Sequence, residues 1–183
     1  DVLIQKDVSI LANLTVYHHL ASSSEDLMEV PHADLMPPAY QERWKKFLSG
    51  LFSRLTQEPK TWQITKEKVE EFVALFQERG GRVLAGTDTP WPYLVPGFSL
   101  HRELELLVDA GFTPREALLT ATANAAEVLG ESREAGRIQE GHRADLIILR
   151  KNPVNNIRNI RSLAAVVRAG RLVEGPLRVE GLP

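Results

Sequence analysis

Arg82-Val83-Leu84-Ala85-Gly86, followed at once by Thr87-Asp88-Thr89-Pro90, is an apolar run closed by a carboxylate and a proline. The run predicts a short strand entered from a helix end at Gly80-Gly81 and left through a turn. Upstream, Thr65 is a candidate cap for a helix that carries Val69, Phe72, Val73 and Phe76 inward. Before it, Trp44, Phe47, Leu48, Leu51, Phe52 and Leu55 recur at helical spacing and read as packing. Residues 21–37, rich in Ser, acid and Pro, predict a loop. Residues 8–17 are β-branched and mostly apolar without alternation, the pattern of a strand covered on both faces in a parallel sheet.

Downstream, prolines 90, 92 and 96 predict a loop, then a helix from Ser99 to Ala110 stopped by Gly111. Thr113-Pro114-Arg115-Glu116 has the order of a capping box with proline at N1, starting a helical region that ends by Gly130. From about residue 136 the pattern changes to short strands. Ala144–Leu149 is one, and Ala164–Arg168 and Arg171–Val173 form a hairpin around Ala169-Gly170. The expected division is an α/β part over 1–135 and a β-rich tail over 136–183. Strand, helix, strand, helix in the first part is what two successive units of a (β/α) barrel look like, with functional groups at the C-terminal strand ends.

The totals set outer bounds. A hydrophobic fraction of 43% and a charged fraction of 25% are those of an ordinary soluble globular protein. A net charge of -2 argues against nucleic acid as a partner, and no apolar run reaches the roughly eighteen residues a membrane span needs. The start lacks the pattern of a signal peptide and an initiator Met, which predicts that the chain begins inside a longer protein. Zero cysteines remove disulfides, thiolate nucleophiles and zinc–thiolate sites together, and leave the compartment open.

Asp88 stands at the predicted strand end, where Gly86 permits close backbone approach and Thr87 can orient the carboxylate. By spacing alone, Gly-Thr-Asp is also an ordinary turn after a strand. Tyr17, His18 and His19 fall at the end of the first predicted strand. Alternation there lets either Tyr17 and His19 or His18 face a pocket, against the plain reading of solvated loop residues. His101, in the first turn of its helix, either reaches a substrate or lies on the surface. Trp91 and Tyr93, pinned by prolines, are a pocket wall or loop anchors. His142 sits in a turn before a tail strand.

Four ordered motifs go further. Val83–Pro90, Leu100–Leu118, Ala121–Gly130 and Gly136–Leu149 together resemble the amidohydrolase superfamily, most closely its imidazolonepropionase-like and prolidase-like branch. The resemblance implies that Val83–Pro90 is the eighth strand of a TIM-like metal-dependent hydrolase barrel and residues 8–17 its seventh. The tail then supplies strands of a small β-sandwich. It also implies hydrolysis of C–N bonds in small amide, imide, cyclic-amide or dipeptide-like substrates. Asp88 inherits the roles of metal ligand and proton acceptor beside a divalent ion, zinc being the expected one.

The same resemblance exposes a departure. The family's other ligands are a His-x-His on strand one, a Lys or Glu on strand four, and His on strands five and six. Here His18 and His19 are adjacent, and the chain begins after the sixth strand. The chain alone is therefore expected to hold no zinc stably and to be inactive, its site being completed by a missing N-terminal segment. The alternative is a non-catalytic module, or a subunit, as in a homo-oligomer, that lends Asp88 to another chain.

Overall fold

The computed structural model describes residues 2–23, 26–27, 30–52, 54 and 59–173. A first turn of helix, α1 (Val2–Gln5), leads to β1 (Ile10–Leu11), α2 (Leu14–Leu20), α3 (Pro38–Phe47) and α4 (Pro59–Glu78). Next come β2 (Val83–Leu84), α5 (Phe98–Asp109), α6 (Pro114–Thr120) and α7 (Ala123–Val128). A three-stranded antiparallel sheet follows, β3 (Leu146–Leu149), β4 (Leu163–Arg168) and β5 (Arg171–Leu172), with a 3-10 turn at Ile157–Arg161 between its first two strands.

β1 and β2 pair in parallel, Ile10 opposite Val83 and Leu11 opposite Leu84. Both are shorter than the sequence pattern suggests. Asn13 takes a left-handed conformation (φ 50°) that ends β1, and α2 starts at the next residue. Tyr17, His18 and His19 are therefore helical, so the strand alternation expected for them does not apply. Backbone groups on the far edge of β2 are satisfied locally. Ala85 N donates to Thr120 O (3.3 Å), and the Asn124 side chain donates to Val83 O (3.0 Å).

Two further boundaries move. α4 starts at Pro59, so Thr65 lies inside it, and its hydroxyl donates back to Thr61 O (2.7 Å) instead of capping. Of that helix's expected inward residues, Val73 and Phe76 are buried, while Phe72 is 47% exposed. The Trp44 stripe is split between α3 and a π-helical turn, Leu48–Phe52; Trp44, Leu48 and Phe52 are buried as expected. Leu55 and the side chain of Leu51 lie outside the described residues. The capping box is present in full, with Glu116 N donating to Thr113 Oγ1 and Thr113 N to Glu116 Oε2.

The core has two parts. Leu14, Val83, Phe76, Leu104, Leu107, Ala117, Ile157 and Ile160 form one cluster, so the 3-10 turn of the tail packs onto α5. Leu20, Trp44, Phe52, Tyr93 and Val95 form the other, under the loop after β2. In the tail sheet Ile147, Ile148 and Leu172 are exposed. Among the described residues no helix is long and apolar enough to cross a membrane.

Candidate functional site

Both parallel strands deliver their C-terminal ends to one side. Ala12-Asn13 leaves β1 for α2, and Ala85-Gly86-Thr87-Asp88 leaves β2 for the proline-rich loop. The two exits touch: a Cβ added to Gly86 would collide with Asn13 Oδ1 and lie 2.6 Å from Leu11 Cγ. Only glycine fits there, which is the close approach the sequence suggested.

Asp88 is exposed and left-handed (φ 52°), and its carbonyl accepts from Trp91 N (2.8 Å), closing a tight turn. Among the described residues its carboxylate has no hydrogen bond or ion pair. Thr87 does not orient it; the Thr87 hydroxyl donates to Thr89 Oγ1 (3.3 Å). Behind this turn Trp91 packs edge-on against Phe47 and Tyr93 against Trp44, with centroids 5.5 and 5.1 Å apart. Both aromatics thereby anchor the loop, and Tyr93 also lines a cavity beside it. Pro90 and Pro92, together with Trp44 and Phe47, enclose a cavity of about 240 Å³.

On α2, His18 Nε2 meets Glu70 Oε1 of α4 at 2.5 Å, yet burial keeps this imidazole below its ordinary pKa. His19 is driven down to about 4 by burial, against the pull of the Pro92 carbonyl. Its Nδ1 is buried without a hydrogen-bond partner among the described residues. Burial followed by Arg161 depresses His101, whose Nδ1 is likewise buried and unpartnered. Tyr17 is half-buried. His142 points to Ser132 O (3.2 Å) in the tail.

A catalytic zinc takes about three protein ligands. Among the described residues no three His, Asp or Glu side chains are grouped to hold an ion. Asp88 is joined by no two further such side chains among the described residues.

The pattern reading missed Glu103. It lies on α5 and is fully buried; Oε1 accepts from Leu14 N (2.9 Å) and Oε2 from Thr15 N (2.8 Å). It caps the first turn of α2 from a distance of 88 residues, where Asn13 supplies no side-chain cap. Burial pushes its pKa up to about 7 against the pull of these two N–H groups. The signal was present. Glu103 shares a helical face with Leu106 and Leu107, an acid on an apolar stripe.

Comparison with known proteins agrees with this layout. The profile of the amidohydrolase family matches residues 33–173, well over half of the chain. The chain is 28% identical over 177 residues to ochratoxinase of Aspergillus niger, covering 92% of this chain and 35% of that protein. It is 38% identical over 104 residues to imidazolonepropionase of Rubrobacter xylanophilus, covering 52% of this chain and 24% of that one. A solved prolidase structure from Bifidobacterium longum superposes with a TM-score of 0.69 at 28% identity, covering 92% of this chain and 36% of that one. The chain thus spans about a third of the length of ochratoxinase and of the prolidase. It belongs to the amidohydrolase family.

Proposed function

We propose that this chain is the C-terminal part of a metal-dependent hydrolase acting on C–N bonds, with amide, imide, cyclic-amide or dipeptide-like small molecules as substrates. β1 and β2 are then the last two strands of its barrel, residues 1–135 the end of that barrel, and residues 136–183 the tail of a small sandwich domain. Asp88 is the catalytic carboxylate and one metal ligand, and the remaining ligands come from sequence beyond this chain. The chain alone is inactive in this reading.

One observation carries the proposal. Asp88 is an exposed carboxylate without partners among the described residues, held at the C-terminal end of a parallel strand by a left-handed turn. A carboxylate meant for structure is bonded, as Glu103 is; one kept free at a strand end is available to a reacting water. The matched family and the names of the relatives support the chemistry. The deciding experiment is Asp88→Asn in the full-length protein, assayed on N-acyl amino acids and X-Pro dipeptides. Loss of turnover with an unchanged melting temperature is expected; a fully active variant would remove Asp88 from the chemistry.

A further inference from the structure

Beside the proline-rich loop lies a cavity of about 280 Å³ built from four separate parts of the chain. Val30 and Pro31 form one wall. Tyr93, Leu94 and Val95 form another. Phe98, with His32 stacked on it at 3.9 Å and 22°, supplies an aromatic face. The charged lining is of one sign. Arg102 and Arg161 reach it from α5 and the 3-10 turn, beside His19, His32 and Ser99, and no described acid lines it.

Glu105, nearly buried, holds both guanidinium groups: Arg161 Nε donates to its Oε1 (2.6 Å) and Arg102 Nη1 to its Oε2 (3.4 Å). Arg102 also lies 3.9 Å from the exposed Asp109. Burial opposes ionisation of Glu105, but the two arginines outweigh it and hold its carboxyl below the ordinary range. One buried carboxylate thus fixes two cations at the cavity and engages only one nitrogen of each. A guanidinium carries five N–H donors in a rigid fork, so further donors remain on both. Ser99, 7% exposed, has a buried hydroxyl with no hydrogen-bond partner among the described residues. It stands in the first turn of the twelve-residue α5, whose N-terminus has neither a side-chain cap nor an acid. An unsatisfied buried hydroxyl is costly unless something meets it.

We propose that this cavity is a binding site for a small organic carboxylate bearing an apolar or aromatic group, its carboxylate on Arg102, Arg161 and Ser99 and its apolar part against Phe98 and Val95. The proposal is independent of the role given to Asp88, which does not line the cavity. Two guanidinium groups favour a planar two-oxygen anion, and the aliphatic and aromatic walls favour an apolar substituent on it. The volume equals on the order of nine waters, which suits a ligand of about ten non-hydrogen atoms.

The test is calorimetric titration of the full chain with 3-phenylpropionate, and with 3-phenylpropionamide and acetate as controls. The expected result is one site per chain with a Kd of about 1 mM or tighter, and binding of the amide and of acetate weaker by about tenfold or more. Arg161→Gln should weaken the carboxylate by a similar factor, and Ser99→Ala several-fold with a melting temperature no lower than the parent's. Arg161→Gln leaves Glu105 short of a partner and can impair folding; the carboxylate–amide comparison and Ser99→Ala need no arginine variant. Equal binding of carboxylate and amide, no saturable binding, or indifference to Ser99→Ala and a folded Arg161→Gln would each overturn the site.

Discussion

At the exit of β1 a carboxylate is fully buried and accepts two backbone N–H groups; at the exit of β2, on the other side of the Gly86 contact, a carboxylate is exposed and accepts none among the described residues. Glu103 and Asp88 bear the same functional group and sit beside the same pair of strands. Glu103 satisfies the first turn of α2, so its oxygens are committed to the fold. Asp88 keeps its oxygens unspent while its backbone is fixed by the Trp91 turn and by aromatic packing behind it. Rigid placement with free lone pairs is what a reacting group requires; committed lone pairs are what a structural group requires.

The contrast is broken most directly by exchanging function for stability at the two sites. Asp88→Asn in the full-length protein should lower turnover by about 10² to 10⁴, the usual loss on removing a positioned base. Its melting temperature should match the parent's, since no described contact is lost. Steady-state rates and calorimetry on the same sample decide it. Turnover near the parent's would place Asp88 among surface residues.

Glu103→Ala should do the reverse. It strands the N–H groups of Leu14 and Thr15 in a dry interior and leaves a void, together costing about 2–4 kcal/mol. Urea unfolding measures this. A cost below about 0.5 kcal/mol, the level of a neutral surface change, would mean that α2 needs no cap from α5.

The pH dependence sharpens the same point, because Glu103 and His19 pull in opposite directions. Glu103 is raised from 4.5 to about 7, so within that window the folded state keeps a proton that the unfolded state has released. Its contribution to stability is full below 4.5 and is lost as pH rises towards 7. His19 is lowered from 6.5 to about 4, so its contribution is full above 6.5 and is lost as pH falls towards 4. Between pH 5 and 6.5 the two slopes oppose. Glu103→Gln should make the melting temperature rise more steeply with pH over that interval than in the parent. His19→Gln should tilt it the other way. Each change is on the order of 1–2 kcal/mol. Identical slopes in all three proteins would show that neither group shifts on folding.

How much of this was legible beforehand follows from the kind of signal each residue gives. Asp88 could be read because a strand end is marked locally by Gly86 and Pro90, and the parallel pairing of residues 10–11 with 83–84 follows from apolar runs without alternation. The capping box at Thr113 is equally local, and it is present as read. The end of β1 was not legible. Its apolar run continues through Leu14 and Val16, and only the left-handed Asn13 together with a cap from α5 turns that run into a helix. Such a cap depends on a contact between residues far apart in sequence, which periodicity does not encode. The start of α4 at Pro59 was missed because Thr65 looks like a cap, although its hydroxyl bonds back along the helix. The Arg102–Glu105–Arg161 group joins α5 to the tail, and nothing in either segment alone announces the other.

The smallest effect tests whether the two exits are mechanically joined at Gly86. Gly86→Ala places a methyl group against Asn13 Oδ1 and the Leu11 side chain, and overpacking of this kind costs about 1–3 kcal/mol. Asn13→Gly alone should be close to neutral. It removes a buried oxygen without a partner and suits a φ of 50°, while glycine's extra freedom in the unfolded chain opposes both gains. In the double variant one of the two obstacles at residue 86 is gone and Leu11 remains. The penalty of Gly86→Ala should therefore shrink without vanishing, giving a coupling of about 0.5–1 kcal/mol. Chemical denaturation of the parent, both single variants and the double variant measures it. Strict additivity would mean that the methyl group is accommodated by movement of the Asp88 turn alone. Gly86→Ala would then impair turnover in the full-length protein as well as stability, and the exits would be independent.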